Sequence, residues 1–150
     1  FGHNGPEAFH GIGINAKMSE LQAAMGLAVF PYMDEIIENR RRIVEQYKNE
    51  LRFDNFRQIK LREGTVWNNS YFPIIFESEI LFMEALIKLN AQQIYPRRYF
   101  YPSLNTIHYL NGPVMPISEE VSQKIICLPL YVGLVEEEIN LICNLLNSIE

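Results

Sequence analysis

The segment FHGIGINAKMSELQAAMG, residues 9–26, places glycines, an amide and a cation directly before the start of a helix. Glycine lets the backbone approach a ligand closely, Asn15 offers an uncharged donor, and Lys17 offers a compact charge. Ser19 is a good N-cap, and a helix N-terminus favours an anion. These residue types indicate an anion site. The other interpretation of Asn15 is a turn-forming residue in left-handed geometry.

A second group of polar residues lies in the segment YPRRYFYPSLN, residues 95–105. Arginines provide cationic hydrogen-bond donors, and hydroxylated aromatic rings combine a flat packing face with a polar edge. The candidate ligand-binding residues of this segment are Arg97, Arg98, Tyr99 and Tyr101. The other interpretation of this segment is a strand with two exposed arginines and buried rings.

The run Arg40, Arg41 and Arg42 is a different pattern. Neighbouring residues of a helix point about 100° apart, so the run cannot form a single clamp, and we expect a solvated face. The three histidines are far apart in sequence and form no metal-spaced pair, which predicts turn or surface positions for them.

Composition argues against several classes of protein. The 150 residues suit one domain, and 48% are hydrophobic and 21% charged, as in an ordinary globular protein. A net charge of -5 argues against a nucleic-acid partner, and no apolar run approaches the length of a membrane span. Cys127 and Cys143 lie in apolar stretches without metal-site spacing. They predict buried free thiols in a reducing compartment, the cytoplasm.

Hydrophobic spacing predicts an α+β fold in which helices pack on a short sheet. A long helix runs from Ser19 to about Leu51, with a kink or restart at Pro31, because proline lacks the amide donor. We expect Met18 and Met25 to be core residues. The remaining predicted elements are a strand over 71–76, a helix over 78–90, a strand near 95–101, a helix over 117–126 and a closing helix over 135–150.

Three ordered blocks resemble the sugar aminotransferases of the DegT/StrS family. GIGINAKMSELQAAMGLAVF, residues 11–30, is similar to the family segment G-x-N-x-[RK]-M-[ST]-E-x-x-A-A-x-G-x. YPRRYFYPSLN resembles the substrate-side loop, and SEEVSQKIICLPLYVGLVEEEINLI, residues 118–142, resembles the closing block that contains L-P-x-[YF]. Together the blocks cover nearly the whole chain in the correct order.

The resemblance implies a homodimeric pyridoxal-phosphate enzyme with the fold of the aspartate-aminotransferase class, fold type I. In the small C-terminal domain of that fold, helices pack on a short, mostly antiparallel sheet. Such enzymes move an amino group from glutamate to a nucleotide-linked keto-deoxy sugar, as in the biosynthesis of deoxyamino sugars for cell-surface polysaccharides. The cofactor is the electron sink and is held as a Schiff base on a lysine. The residues of the first block are most similar to those of relatives that aminate C3 of the sugar, and C4-specific enzymes are the alternative.

No part of this sequence matches the family's Schiff-base lysine, which lies before the asparagine segment in relatives. The resemblance therefore implies the C-terminal portion of the enzyme, without the upstream cofactor domain. In that interpretation residues 1–30 border the cofactor site and the dimer interface, and residues 31–150 form the small domain. The fragment alone is expected to be inactive.

The resemblance also assigns roles to residues. The asparagine that matches Asn15 donates a hydrogen bond to the phosphate of the partner's cofactor, with Lys17 beside it in place of the more common arginine. Arg97, Arg98, Tyr99 and Tyr101 are assigned to the sugar nucleotide. The alternative function is a non-catalytic module for dimerisation or for binding nucleotide sugars.

Overall fold

The computed structural model describes residues 1–150 apart from Phe1, His3, Pro6, Phe9, Asn15 and Asn111. Contacts among these residues group them into two units, Phe1–Asp34 and Glu35–Glu150.

Helix α1, Glu20–Val29, lies wholly in the first unit. Ser19 caps it as predicted: its Oγ accepts from the Gln22 amide at 3.3 Å, and the Gln22 side chain accepts from the Ser19 amide at 2.9 Å. The predicted interruption at Pro31 is also confirmed, because a 3₁₀ turn over Phe30–Tyr32 separates α1 from the next helix.

The side chains of α1 are not buried within this chain. Met18 is 71% exposed and Met25 is 59% exposed, so the prediction that they are core residues is wrong. The spacing of apolar residues was interpreted as a core stripe, but periodicity does not show which surface covers the stripe.

The second unit is a layer of helices packed on one sheet, as the predicted α+β class requires. The sheet has the strand order β1-β2-β4-β3, and every neighbouring pair is antiparallel. The elements are α2 (Met33–Glu50, which begins in the first unit), β1 (Phe56–Gln58), β2 (Phe72–Phe76), α3 (Glu79–Ala91), β3 (Arg97–Arg98), α4 (Pro116–Gln123), β4 (Ile125–Leu128) and α5 (Glu136–Asn147).

The core lies between one face of the sheet and the helices. Ile74 and Ile126 are directly opposite each other on β2 and β4 and are fully buried. Tyr47 of α2, Leu89 of α3 and Ile142 of α5 belong to the same cluster. Burial of each such side chain contributes about 1.5–3 kcal/mol. This core fixes β4, to which the short edge strand β3 is paired.

Three sequence-based predictions need correction. The strand expected near 95–101 is only Arg97–Arg98, because Pro96 lacks an amide donor and Phe100 has a positive φ that turns the chain. The helix expected over 117–126 ends at Gln123, and its last two isoleucines belong to β4, since β-branched residues favour a buried strand. Strand β1, which has three residues and no apolar run, was not predicted.

The arginine run on α2 agrees with the prediction of a solvated face except at its first residue. Arg41 is exposed and pairs with Glu38 and Glu45 on the same helix. Arg40 is half-buried, and its Nε has no hydrogen-bond partner among the described residues. The side chain of Arg40 therefore lies partly against the protein, whereas that of Arg41 extends into solvent.

Candidate functional site

Strand β3 turns its two arginines to opposite faces of the sheet. Arg97 is opposite Cys127 on β4, and Arg98 is opposite the core residue Ile126. Successive side chains of a strand alternate between faces, so Arg97 shares a face with Cys127 and Arg98 shares a face with Ile126. The two arginines selected from the sequence therefore do not form a pair around one ligand.

Arg97 is exposed and is held by Tyr71. Its Nη1 donates to the Tyr71 hydroxyl at 3.1 Å, and its guanidinium carbon lies 5.6 Å from the centroid of the Tyr71 ring. A guanidinium has five N–H donors in a planar fork, and Tyr71 accepts from one of its nitrogens. Arg97 is thus oriented and still able to bind an anion.

Arg98 is used within the fold. Its guanidinium carbon lies 3.5 Å from the centroid of the Tyr101 ring and 5.0 Å from that of Phe82, and its Nη2 donates to the Gln123 carbonyl at 3.3 Å. These contacts tie β3 to α3 and to the end of α4. The same stacking occupies one face of the Tyr101 ring.

Tyr99 lies beside the Arg97–Tyr71 pair. Its ring meets Tyr71 edge-on at 5.9 Å between centroids and meets Phe100 at 4.7 Å. Phe100 has a φ of 36°, a left-handed conformation that is costly for a bulky aromatic residue. The strained Phe100 thus comes directly after Tyr99, which belongs to the cluster formed with Tyr71 and Arg97.

A cleft of about 670 Å³ opens beside Arg97, and we call it the Arg97 cleft. Its volume lies within the range of small-molecule sites, roughly 300–1,000 Å³. The apolar residues of its lining that are buried or half-buried include Ile94, Leu128, Leu130, Leu134 and Ile142. Its exposed polar residues are Tyr71, Gln92, Gln93, Tyr95, Arg97, Tyr131 and Glu138.

A second, more apolar cleft of about 440 Å³ is lined in part by Tyr99, and we call it the Tyr99 cleft. Its lining residues are Tyr99, Phe100, Ser103, Leu104, Asn105, Met115, Ser118, Val121, Ser122 and Ile125. Tyr99 and Phe100 belong to the segment that was selected from the sequence. The predicted substrate segment therefore borders both clefts, through Arg97 at one and Tyr99 at the other.

Hydrogen bonds hold the wall of the Tyr99 cleft in place. The Asn105 amide donates to Glu119 Oε1 at 2.6 Å and to the Pro113 carbonyl at 3.0 Å, and the Ser103 and Ser118 hydroxyls lie 2.8 Å apart. The backbone amide of Met115 and the side-chain amide of Asn105 both donate to Glu119. These bonds lower the pKa of its carboxyl group, and the bond from Met115 has the larger effect. A charged Glu119 thus anchors the segment.

The anion site predicted before α1 is described only in part. Asn15 lies outside the described residues, whereas Lys17 is described and is exposed. The capped start of α1 at Ser19 follows two residues later. The roles of Asn15 and Lys17 stay predictions.

None of the five lysines, all of which are described, is buried. Lys88 pairs with Glu84 and Lys124 with Glu120, each at 2.8 Å, and Lys48 lies over a tryptophan ring. A lysine that holds a carbonyl cofactor must be activated by desolvation or by a neighbouring cation. The settings of these lysines do not fit that role.

The described part of the chain contains no group of three or more histidine, cysteine, aspartate or glutamate residues that could hold a metal ion. Nor does any of its helices combine the length and the apolar character that crossing a bilayer requires. Cys127 and Cys143 are free and buried, as predicted. Burial raises the pKa of the Cys127 thiol to about 11 and that of Cys143 to about 12.

Sequence reasoning missed most of the Arg97 cleft. Tyr71 stands before β2, and its alternation with Pro73 and Ile75 could have placed it on the same face as Arg97. The lining residues of α5 lie far along the chain from Gln92, Gln93 and Arg97. No local pattern indicates that they line one cleft.

The sequence profile of the DegT/DnrJ/EryC1/StrS aminotransferase family matches residues 2–147. A dTDP-4-amino-4,6-dideoxy-D-glucose transaminase of Shigella dysenteriae is 34% identical over 146 residues, covering 93% of this chain and 40% of the relative. A transaminase of the same name from Escherichia coli is 33% identical over 145 residues, covering 89% of this chain and 38% of the relative.

Among solved structures, the aminotransferase TlmJ from Streptoalloteichus hindustanus matches with a TM-score of 0.78 and 19% identity. The match covers 95% of this chain and 38% of TlmJ. At that identity the similarity shows the fold, which is that of an aminotransferase. This chain thus spans about 40% of the length of the curated relatives that it matches.

Proposed function

This chain belongs to the DegT/DnrJ/EryC1/StrS aminotransferase family, and on that premise we propose that it is part of an enzyme that transfers an amino group from glutamate to a nucleotide-linked keto-deoxy sugar. The observation that supports this most directly is the family match over residues 2–147, together with relatives named as dTDP-sugar transaminases. The two free thiols suit a reducing compartment, which supports a cytoplasmic location.

The chain is the C-terminal portion of that enzyme in this proposal. Residues 1–30 border the cofactor site and the dimer interface, and residues 31–150 form the small domain. The chain spans about 40% of the length of its relatives, which supports its being one portion of a longer enzyme. The remaining length of the relatives is large enough for a separate cofactor domain.

The enzymes of this family use pyridoxal phosphate, which supplies an electron sink when bound. Asn15 and Lys17 would hold its phosphate, since an amide and an ammonium beside a capped helix N-terminus suit an anion. The lysine that holds the cofactor is assigned to another part of the complete protein, because the lysines of this chain lie in ion pairs or are exposed.

Arg97 and Tyr99 are the best placed of the four proposed substrate residues. Arg97 is exposed at a cleft and oriented by Tyr71, and Tyr99 borders the second cleft. Arg98 and Tyr101 stack on each other, so a ligand would have to compete with that contact. We therefore assign Arg97 to the diphosphate and Tyr99 to the sugar.

The two candidate positions of the keto group are C3 and C4. The wording of the first block favours C3, whereas both named relatives are transaminases of a 4-amino-4,6-dideoxy sugar. Those names support the 4-keto sugar as the first substrate to assay. A 3-keto isomer is the matched comparison.

A homodimer is part of this proposal. The first unit exposes a series of large apolar side chains, which on a monomer would be an unusually large apolar surface. Those that are at least 70% exposed are Ile12, Ile14, Met18, Leu21, Leu27 and Phe30. A second copy that covers them would also bring its own cofactor near Asn15.

A non-catalytic module that binds nucleotide sugars is the second candidate. It is favoured by one observation, namely that the Arg97 cleft is formed entirely by residues of the second unit. Such a module would bind the nucleotide sugar but would not transfer an amino group.

The test is an assay of the complete protein that contains this chain, with pyridoxal phosphate, glutamate and a dTDP-linked 4-keto-6-deoxy sugar. We expect 2-oxoglutarate and a sugar whose mass corresponds to replacement of a carbonyl oxygen by an amine. Reactions without glutamate, and with the 3-keto isomer, are the controls. Binding of the sugar nucleotide without any amino transfer would support the module instead.

A further inference from the structure

The Arg97 cleft joins one cation to an apolar floor. Among its described lining residues Arg97 is the only cation and Glu138 is the only carboxylate. The floor includes Leu134, which is 6% exposed, and the exposed Leu141 stands at its border. A ligand that fills this cleft needs a largely uncharged body and one anionic part.

We propose that the Arg97 cleft binds the nucleoside half of the nucleotide-linked sugar, with the diphosphate at Arg97 and the sugar directed towards Tyr99. This assignment rests on the proposed function, because it takes the substrate class from there. It adds a place for the nucleoside, which neither the sequence motifs nor the relatives' names indicate.

The polar lining suits a nucleobase. Gln92 and Gln93 each have a side-chain amide with two N–H donors and a carbonyl acceptor. This combination matches the edge of a pyrimidine, where hydrogen-bond donors and acceptors alternate. Tyr95 and Tyr131 are 73% and 51% exposed, so their rings are accessible for packing against a flat base. The floor beneath them is apolar, as the face of a base requires.

The charges of Arg97 and Glu138 indicate which part of the ligand lies beside each of them. The Glu138 carboxylate would repel a phosphate group but can accept a hydrogen bond from a sugar hydroxyl. Arg97 attracts the diphosphate and is held by the Tyr71 hydroxyl. The diphosphate therefore lies at Arg97, and the nucleoside lies beside Glu138.

Lining residues of the two clefts contact each other, because Tyr71 of the Arg97 cleft meets Tyr99 of the Tyr99 cleft. Tyr71 contacts Arg97 at 3.1 Å and contacts the Tyr99 ring at 5.9 Å between centroids. Two residues of extended chain span about 7 Å, a distance similar to the length of a diphosphate. A diphosphate bound at Arg97 would thus bring the attached sugar to Tyr99 and the second cleft.

The test blocks the cleft and measures binding of dTDP and of thymidine to the complete protein by calorimetry. Leu141→Trp places a large ring at the border of the cleft, and Tyr131→Ala removes one of the proposed ring contacts. Asn144→Trp is the matched control, because Asn144 is exposed on the same helix and does not line the cleft. Thermal unfolding of each variant reports whether it is folded.

We expect Leu141→Trp to weaken the binding of both dTDP and thymidine at least tenfold. Tyr131→Ala is expected to weaken both several-fold, and Asn144→Trp is expected to leave both unchanged. The assignment is overturned if the wild-type protein binds dTDP and both cleft variants bind it equally well, or if the wild type does not bind dTDP. Amino transfer by the wild type, measured separately, reports whether the proposed function stands in either case.

Discussion

The Tyr71 hydroxyl accepts a hydrogen bond of 3.1 Å from Nη1 of Arg97, and the Tyr71 ring lies 5.6 Å from the guanidinium carbon. The two residues are far apart in sequence, since Tyr71 directly precedes β2 and Arg97 lies in β3. Their contact gives one exposed arginine a fixed orientation, while its neighbour Arg98 is packed on Tyr101 and Phe82.

Replacement of Tyr71 by phenylalanine removes the hydrogen bond to Arg97 and keeps the ring. In the complete enzyme we expect KM for the nucleotide sugar to rise about three- to tenfold with little change in kcat, since one such bond contributes about 0.5–1.5 kcal/mol. Steady-state kinetics measure this. Tyr109→Phe is the control, because Tyr109 is exposed and lines neither described cleft. Equal kinetics for Tyr71→Phe and the wild type would remove Tyr71 from this role.

The two arginines of β3 are expected to differ in their effect on stability. Arg98→Ala removes a stacked ring contact and a hydrogen bond to the Gln123 carbonyl, so the free energy of unfolding falls by about 1–2 kcal/mol. Both arginines are exposed, but Arg98 also lies over the buried Phe82 ring, whereas Arg97 contacts the exposed Tyr71. Arg97→Ala is therefore expected to change the free energy of unfolding by about 0.5 kcal/mol or less. Urea denaturation compares the two variants. The opposite order would contradict the division of roles.

The buried thiols make stability fall at alkaline pH. The pKa of Cys127 is raised to about 11 and that of Cys143 to about 12, chiefly by burial, from an ordinary value near 9. Above pH 9 the unfolded thiols lose protons that the folded thiols retain, so the unfolded state is favoured increasingly until the folded pKa is reached. Each thiol contributes a slope of up to about 1.4 kcal/mol per pH unit.

Cys143→Ala isolates one of these contributions. Between pH 9 and 11 we expect a shallower decline of the free energy of unfolding than in the wild type, although the variant is less stable at pH 7 because a cavity is formed. Denaturation series at several pH values measure the slope. Parallel curves for variant and wild type would show that Cys143 does not titrate in this way.

Asn15→Ala is expected to weaken cofactor binding. In the complete enzyme the loss of an amide donor to a charged phosphate costs about 1–3 kcal/mol, which is about a 5- to 150-fold rise in Kd. Titration of the apoenzyme with pyridoxal phosphate measures it. An unchanged Kd would favour the turn-forming role of Asn15.

The 150 residues by themselves are expected not to transfer amino groups. Their lysines lie in ion pairs or are exposed, and none is in the desolvated setting that a cofactor lysine requires. Incubation with pyridoxal phosphate, reduction with borohydride and mass spectrometry would locate any adduct. Scattered partial labelling is the expected result. Full labelling of one lysine, together with turnover, would overturn the prediction.

The sequence alone determined the features that depend on nearby residues. The cap at Ser19, the break at Pro31 and the strand before Ser78 were predicted because capping, the missing proline amide and alternation act over a few residues. The motif order also indicated the aminotransferase family, which the profile match confirms.

Only the tertiary structure decided which residues meet. The short strands β1 and β3 depend on pairing with strands distant in the chain, and a run of two or three residues has no periodicity of its own. The same is true of burial, since Met25 has the spacing of a core residue but is exposed. Pairing with β4 places Arg97 on the face of Cys127 and Arg98 on the face of the core residue Ile126, because side chains alternate along a strand, although both arginines are exposed. Arg97 and Arg98 are chemically identical, and the pairing of β3 with β4 decides which of them lies at the cleft.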